Sequence, residues 1–270
     1  MSEAPGPSYA VAEDLGTILD IERLDRDLFR GIHATHAAER ASLFGGQVAA
    51  QALMAAGLTV GDDRPPHSLH GYFLRRGRPD RPVLLYVDRD RDGRSFSARH
   101  VSAVQEGEVI FSMLASFHVD EPGESFDAAP SEMSSLEASS LASQNFLLDI
   151  RSASPLTIDN GRPAFPDCLW IRAAHPLPDD RLSQAAALTY ISDLGSGFGQ
   201  VRQPGLPVGG PSIDHAVWFE TPIRVDEWVQ LKIWPVKAGG SRGLYNGAIR
   251  DPQGRLGATL AQEMLLRGMP

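Results

Sequence analysis

"LFGGQVAAQALMAAGLTV" (residues 43–60) places Ala, Leu, Met and Val on nearly every side of a helix drawn through it. A helix that is apolar all round is enclosed rather than laid on a surface, so something in the chain must cover it. Downstream, "HSLHGYFL" (67–74), "PVLLYVDRDRDGRSFSARHVSAV" (82–104) and "EVIFSMLASFHV" (108–119) read as strands, with turn signals at "DRDG" and "QEGE". Upstream, "VAEDLGTILDIERL" begins with a short helical pattern and "LFRGIHA" looks like a strand. A helix covered by its own antiparallel strands is an α+β layer in which the sheet wraps the helix.

The pattern then repeats. "DEPGESFDAAPSEMSSLEASSLASQ" (120–144) shifts abruptly to Ser, Glu and Ala and reads as part of a linker, with room for some helix. After it come a strand-like "CLWIRAAHPL" and a second enclosed helix, "RLSQAAALTYISDLGSGF". Three strand candidates close the chain: "SIDHAVWFETPI", "EWVQLKIWPVKAGGSRGLYNGAIR" and "RLGATLAQEMLLR". The expected organisation is a first unit over 1–120, a Ser-rich linker over 121–165 and a second unit over 166–270. Gln47 and Asp193, each in an enclosed helix, lie 146 positions apart, as do Ser116 and Gln262 in the last strands (193 − 47 and 262 − 116). A shared offset points to an internal duplication.

Composition narrows the function. With 42% hydrophobic and 22% charged residues the 270-residue chain reads as an ordinary globular protein with a sizeable core. The first residues lack a basic region followed by an apolar one, so no secretory signal is expected there. No apolar run approaches the roughly 18 residues of a spanning helix. One cysteine, Cys168, excludes an internal disulfide and fits a reducing compartment, so the expected location is the cytoplasm. A net charge of −9 argues against a nucleic-acid or anionic-membrane binder. The arginines nonetheless gather between Arg75 and Arg99, mixed with aspartates. They form either a solvated face of ion pairs or a cationic rim for a phosphorylated small molecule.

Three polar residues interrupt apolar patterns. Asp193 interrupts the second enclosed helix, where a carboxylate is costly unless it is paired or faces a cavity. It is either a local cap ahead of the glycines or a general base holding a water. Ser212 opens a strand after a Gly/Pro turn, a place where serine is usually structural. Gln262 shares the apolar face of "LGATLAQEML", and a buried amide must satisfy its donors and acceptors or cost about 1–3 kcal/mol. Other motifs carry less. "GGSRG" (239–243) matches the nucleophile-elbow spacing, but a strand follows where that motif needs a helix. Cys168 lies in an apolar strand and reads as an inert thiol. The pairs His33/His36 and His67/His70 lack a third ligand at metal spacing, and "GSGFG" misses the dinucleotide-loop pattern, so neither a metal nor a cofactor is expected.

Seven ordered blocks resemble the type II acyl-CoA thioesterases, the TesB-like family. They are "LFGGQVAAQAL", "HSLHGYFLRRG", "DRDGRSFSARHVSAVQEGEVIFSMLASF", "LWIRA", "YISDL", "SIDHAVWF" and "LAQE", spanning about Leu15 to Arg267. The resemblance implies a double hotdog: two tandem units, each an antiparallel sheet wrapped around a central helix, which associate into homo-oligomers. It implies hydrolysis of medium- to long-chain fatty acyl-CoA by one ordered water, with Asp193, Ser212 and Gln262 as the catalytic set. Gln47 and Ser116 stand where the first half would carry its own Asp and Gln, so only the second half is expected to be catalytic. Gly45 and Gly46 are expected to offer backbone N–H groups to the carbonyl oxygen, and Arg94 and Arg99 to meet the CoA phosphates. Two other classes remain open: a non-catalytic acyl-CoA-binding protein and an enoyl-CoA hydratase using Asp214 and His215. Adjacent strand residues face opposite ways, which makes that last pair a poor dyad.

Overall fold

The computed structural model describes residues 12–31, 42–144, 147–152, 158–159, 162–163, 166–201 and 209–267. The first half begins with a short helix α1 (Leu15–Leu19) and the strands β1 (Glu22–Asp25) and β2 (Leu28–Gly31). Then follow α2 (Gly45–Gly57), β3 (Pro66–Phe73), β4 (Val83–Asp92), β5 (Phe96–Gln105) and β6 (Glu108–His118). Next come β7 (Ser140–Gln144), β8 (Leu148–Ser152), a separate pair β9 (Ile158–Asp159) and β10 (Arg162–Pro163), and β11 (Cys168–Ala173). The second half continues with α3 (Arg181–Ser192), β12 (Asp214–Phe219), β13 (Val229–Gly239), β14 (Arg242–Arg250) and β15 (Leu256–Leu265).

Among the described residues, thirteen strands form one sheet in the order β1-β2-β4-β5-β6-β3-β12-β15-β14-β13-β11-β8-β7. Read from either end toward the centre, three hairpin-linked strands (β4-β5-β6 or β13-β14-β15) are followed by the strand that precedes them. The halves meet where β3 runs antiparallel to β12, with His215 opposite Gly71 and Val217 opposite Leu69. This is the double hotdog, and its palindromic order is the signature of the duplication.

Alternation fixes which side chains the helices meet. On β6, Phe111, Met113, Ala115 and Phe117 are buried while Leu114 is exposed on the other face. In α2 all residues from Gly46 to Ala56 are buried, which accounts for a helix with no polar side. The helices pack antiparallel at very close range. A Cβ on Gly46 would come within 2.5 Å of the Tyr190 carbonyl oxygen, and one on Gly57 would strike Leu182. Glycine is what lets these backbones approach.

Two expectations change. Within 121–165, read as linker, β7 and β8 are strands of the main sheet, and β8 pairs with β11. Ser and Ala pair well enough at a sheet edge, and composition alone misses them. The common offset of 146 also fails. Gln47 lies in the first turn of α2, whereas Asp193 follows the last turn of α3, so the two are not equivalent. Ser116 faces away from the helices and bonds His67, while Gln262 faces inward. The turn glycines Gly107 and Gly254, with φ of 82° and 81°, are 147 apart (254 − 107) and place the buried Ala115 at the position of Gln262. His33 and His36 lie outside the described residues. "GGSRG" is the hairpin turn between β13 and β14, strand on both sides.

Candidate active site

The site begins where α3 stops. Helix α3 ends at Ser192, and Asp193, its C-cap, projects toward the N-terminus of α2, against which α3 is packed. The N-cap of α2, Phe44, makes no side-chain cap bond. The first-turn N–H groups of a helix have no helical acceptor and carry the positive end of its dipole. Asp193 supplies the acceptor: the Gly46 N–H donates to its carboxylate. A Cβ on Gly45 would fall 2.7 Å from Asp193 Oδ2 and 2.9 Å from the Phe73 ring, so the Gly45–Gly46 turn admits the carboxylate only because side chains are missing.

Two further residues arrive from the sheet. Ser212 makes a single bridge to Met264 of β15 just before β12, and Gln262 points inward from β15. Gln262 Nε2 donates to Asp193 Oδ1 at 3.0 Å and to Ser212 Oγ at 2.5 Å. Ser212 Oγ stands 3.5 Å from Asp193 Oδ1. All three residues expected from the sequence therefore converge, together with Gly45 and Gly46.

Asp193 and Ser212 line a cleft of about 790 Å³, whose walls include Leu43, Phe44, Val48, Phe73, Ile110 and Phe111. Gln262 is buried behind the first two residues, as its exposure of 2% requires. Burial pushes the Asp193 carboxyl above its ordinary value; hydrogen bonds from Gln262, the Gly46 N–H and Ser212 pull the other way without cancelling it. Across the strand pair from Gln262, Tyr245 is buried and its phenol is pushed far up, first by burial and then by the Asp193 charge. Such a carboxylate, raised but facing a cleft, is a stronger base than an ordinary aspartate and is suited to take a proton from water.

The arginine expectation is corrected. Arg99 is 1% exposed and spends its guanidinium on Thr59, Asp92 and two carbonyls. Strand alternation explains this, since Arg99 shares the inward face of β5 with Val101 and Ala103. Arg94 is exposed in the β4–β5 turn, at the far end of the sheet from Asp193, where the neighbouring Phe96 stacks on His118. Arg75 and Arg76 line the cleft instead. The sequence reading also passed over His215, which is fully buried. Its ring bonds Gln262 Oε1 through Nδ1 and Ser192 Oγ through Nε2, the latter at 2.7 Å. The alternation that separates it from Asp214 also sends it inward, and that was the available signal. Asp214 faces outward, bonding His70 and the Glu263 N–H, so the two do not form a hydratase dyad.

Cys168 is partly buried beside Ser134, and burial raises its thiol pKa. No group of three or more His, Cys, Asp or Glu among the described residues could hold a metal ion. No helix among them is long and apolar enough to cross a membrane.

Known proteins share this construction. The model of the acyl-CoA thioesterase N-terminal domain matches residues 33–118, and that of the C-terminal domain matches 137–266. Human acyl-coenzyme A thioesterase 8 is 35% identical over an alignment covering 94% of this chain and 89% of that protein. The crystal structure of the acyl-CoA thioesterase II TesB2 from Mycobacterium marinum superposes with a TM-score of 0.72 at 38% identity, covering 94% and 98% of the two chains. A hot dog fold protein of unknown function from Alicyclobacillus acidocaldarius, 17% identical, gives a TM-score of 0.71 over 94% and 97%, a likeness of fold.

Proposed function

The chain belongs to the type II acyl-CoA thioesterases and hydrolyses acyl-CoA, and from that premise we propose that Asp193 and Ser212, braced by Gln262, order and deprotonate the attacking water. One observation carries the proposal. A raised carboxylate, a hydroxyl and a carboxamide from three distant segments meet within hydrogen-bond distance on the wall of a cleft.

Asp193 takes a proton from water as the water oxygen attacks the thioester carbonyl carbon. The oxyanion that forms is met by the Gly45 N–H, the next first-turn donor of α2 beside the Gly46 N–H held by Asp193. Collapse breaks the C–S bond, and the departing CoA thiolate takes the proton back from Asp193. A thiolate whose conjugate thiol has a pKa of about 8.5 is a competent acceptor for a carboxylic acid proton. The products are a fatty acid, CoA and the original carboxylate.

The substrate is a medium- to long-chain fatty acyl-CoA. The cleft volume lies in the range of small-molecule sites, about 300–1,000 Å³, and its apolar walls suit an alkyl chain. Arg75 and Arg76 take the phosphate-facing role first assigned to Arg94 and Arg99. The protein works in a reducing, cytoplasmic setting as a homo-oligomer. Supporting that assembly, Tyr72, Leu114 and Trp218 are each 45–52% exposed on the outer sheet face, around the His70–Leu114 pair. Trp218→Asp should reduce the mass read by light scattering, and an unchanged mass would move the interface elsewhere.

The test is release of free thiol from a series of acyl-CoAs. The value of kcat/KM should rise with chain length into the medium and long range. Asp193→Asn should lower kcat by at least ~10²-fold; near-normal turnover would remove Asp193 from the mechanism.

A further inference from the structure

His215 has no part in the steps above, yet it is the most completely enclosed titratable side chain near them. It lies inward on β12 and does not line the cleft, so it touches neither water nor thioester. Its contacts run the other way, to Gln262 and Ser192.

Hydrogen-bond arithmetic defines its state. A carboxamide has two N–H donors on nitrogen and an acceptor oxygen. The Gln262 nitrogen faces two acceptors, Asp193 Oδ1 and Ser212 Oγ, and so spends both its hydrogens. Its oxygen faces His215 Nδ1, which must therefore carry a hydrogen. Turned over, the amide would present its oxygen to the Asp193 carboxylate, acceptor against acceptor, and would strip Asp193 of a donor. The Ser192 hydroxyl has one hydrogen and two acceptors in reach, the Thr189 carbonyl oxygen at 2.9 Å and His215 Nε2 at 2.7 Å; burial favours the neutral ring, whose Nε2 takes it.

We propose that His215 is the positioning residue of this hydrolase: its Nδ1–H locks the Gln262 amide with both N–H groups toward Asp193 and Ser212, and Ser192 holds the tautomer that makes this possible. The inference rests on the water-ordering reading of Asp193, Ser212 and Gln262. It extends that set by two residues, one from the end of α3 and one from the centre of the sheet. A small rotation of Gln262 would redirect the base, and misplacement of a reacting group by about 1 Å costs roughly 10²-fold in rate.

Three variants and one spectrum test it. His215→Leu fills the space without a donor, and kcat should fall roughly 10–10²-fold with KM changed less than about threefold. His215→Asn keeps an N–H near the Nδ1 position, and most of the lost kcat should return. Nitrogen NMR of the wild-type protein should report hydrogen on Nδ1 and not on Nε2. The inference is overturned by a folded His215→Leu with normal kcat, by His215→Asn no better than His215→Leu, or by the Nε2–H tautomer. If His215→Leu does not fold, the Asn variant and the wild-type tautomer still decide. Asp193→Asn separates the two levels. If it turns over normally, the water-ordering reading fails; if it is inactive while folded His215→Leu is normal, only the role of His215 fails.

Discussion

The N-termini of α2 and α3 occupy matching places in the two halves, and they are finished differently. Helix α3 caps itself: Asp180 accepts a hydrogen bond from the Ser183 N–H. Helix α2 has no such residue, and Asp193 reaches in from the other half. Beside the self-capped end lies a smaller cavity of about 330 Å³, lined by Asp120, Glu121, Asp179 and Asp180, with Arg181 and Arg224 tied to Asp120 and Asp179. Beside the borrowed cap lies the larger cleft with Arg75 and Arg76. Arg75 is paired with Glu108, and Arg76 adds a second cation to that wall, so a polyanionic CoA ester is expected at the second cavity rather than the first. Duplication preserved the frame, and the capping partner differs between the proposed site and its counterpart. On the proposed mechanism the same carboxylate serves as helix cap and as base.

Gln262→Ala should break the comparison hardest, since it removes both donors that hold Asp193 and Ser212. We expect a loss of roughly 10²-fold in kcat. The reciprocal change in the first half, Ala115→Gln, should leave thiol release within about twofold of wild type, because the carboxylates at that end are already committed, Asp180 to the Ser183 N–H and Asp120 and Asp179 to arginines. Gain of a second activity would show that the first half needs only an amide.

The raised pKa of Asp193 gives the next effect. The base must be ionised, so kcat/KM should climb with pH along an acid limb lying above 3.8, the ordinary value. Stability moves oppositely. Folding favours the protonated form, so stability falls as pH rises from 3.8 through the folded pKa. Asp193→Asn should then melt above wild type at pH 8, with the gap closing toward pH 4. A gap that widens on acidification would reverse the sign of the shift.

Much of this was legible in the sequence. Residues 43–60 and 181–198 announce enclosed helices because neither has a polar side, and alternation along 108–119 and 256–265 marks which residues face them. A single offset did not carry the duplication. Connections of different length set the helices 136 apart (181 − 45) and the last strands 147 apart. The proposed catalytic set was weak residue by residue, because its members meet only in three dimensions; family resemblance brought them together. Arg99 was misread although period-two alternation places it inward, since arginine is so seldom buried. His215 was overlooked for the converse reason: alternation correctly separated it from Asp214 and was not used to ask what it faced.

The smallest effect belongs to the self-capped end. Asp180→Ala should cost about 1 kcal/mol of stability, seen as a melting point lower by a few degrees, with kcat unchanged. A fall in kcat would mean that the second cavity takes part in turnover.

Calorimetric titration with a non-hydrolysable thioether analogue of a long-chain acyl-CoA asks the central question directly: how many competent sites does a duplicated chain hold? One molecule per chain, with binding weakened when Arg75 and Arg76 are replaced by alanine, is the predicted result. Two equivalent molecules per chain would contradict the account.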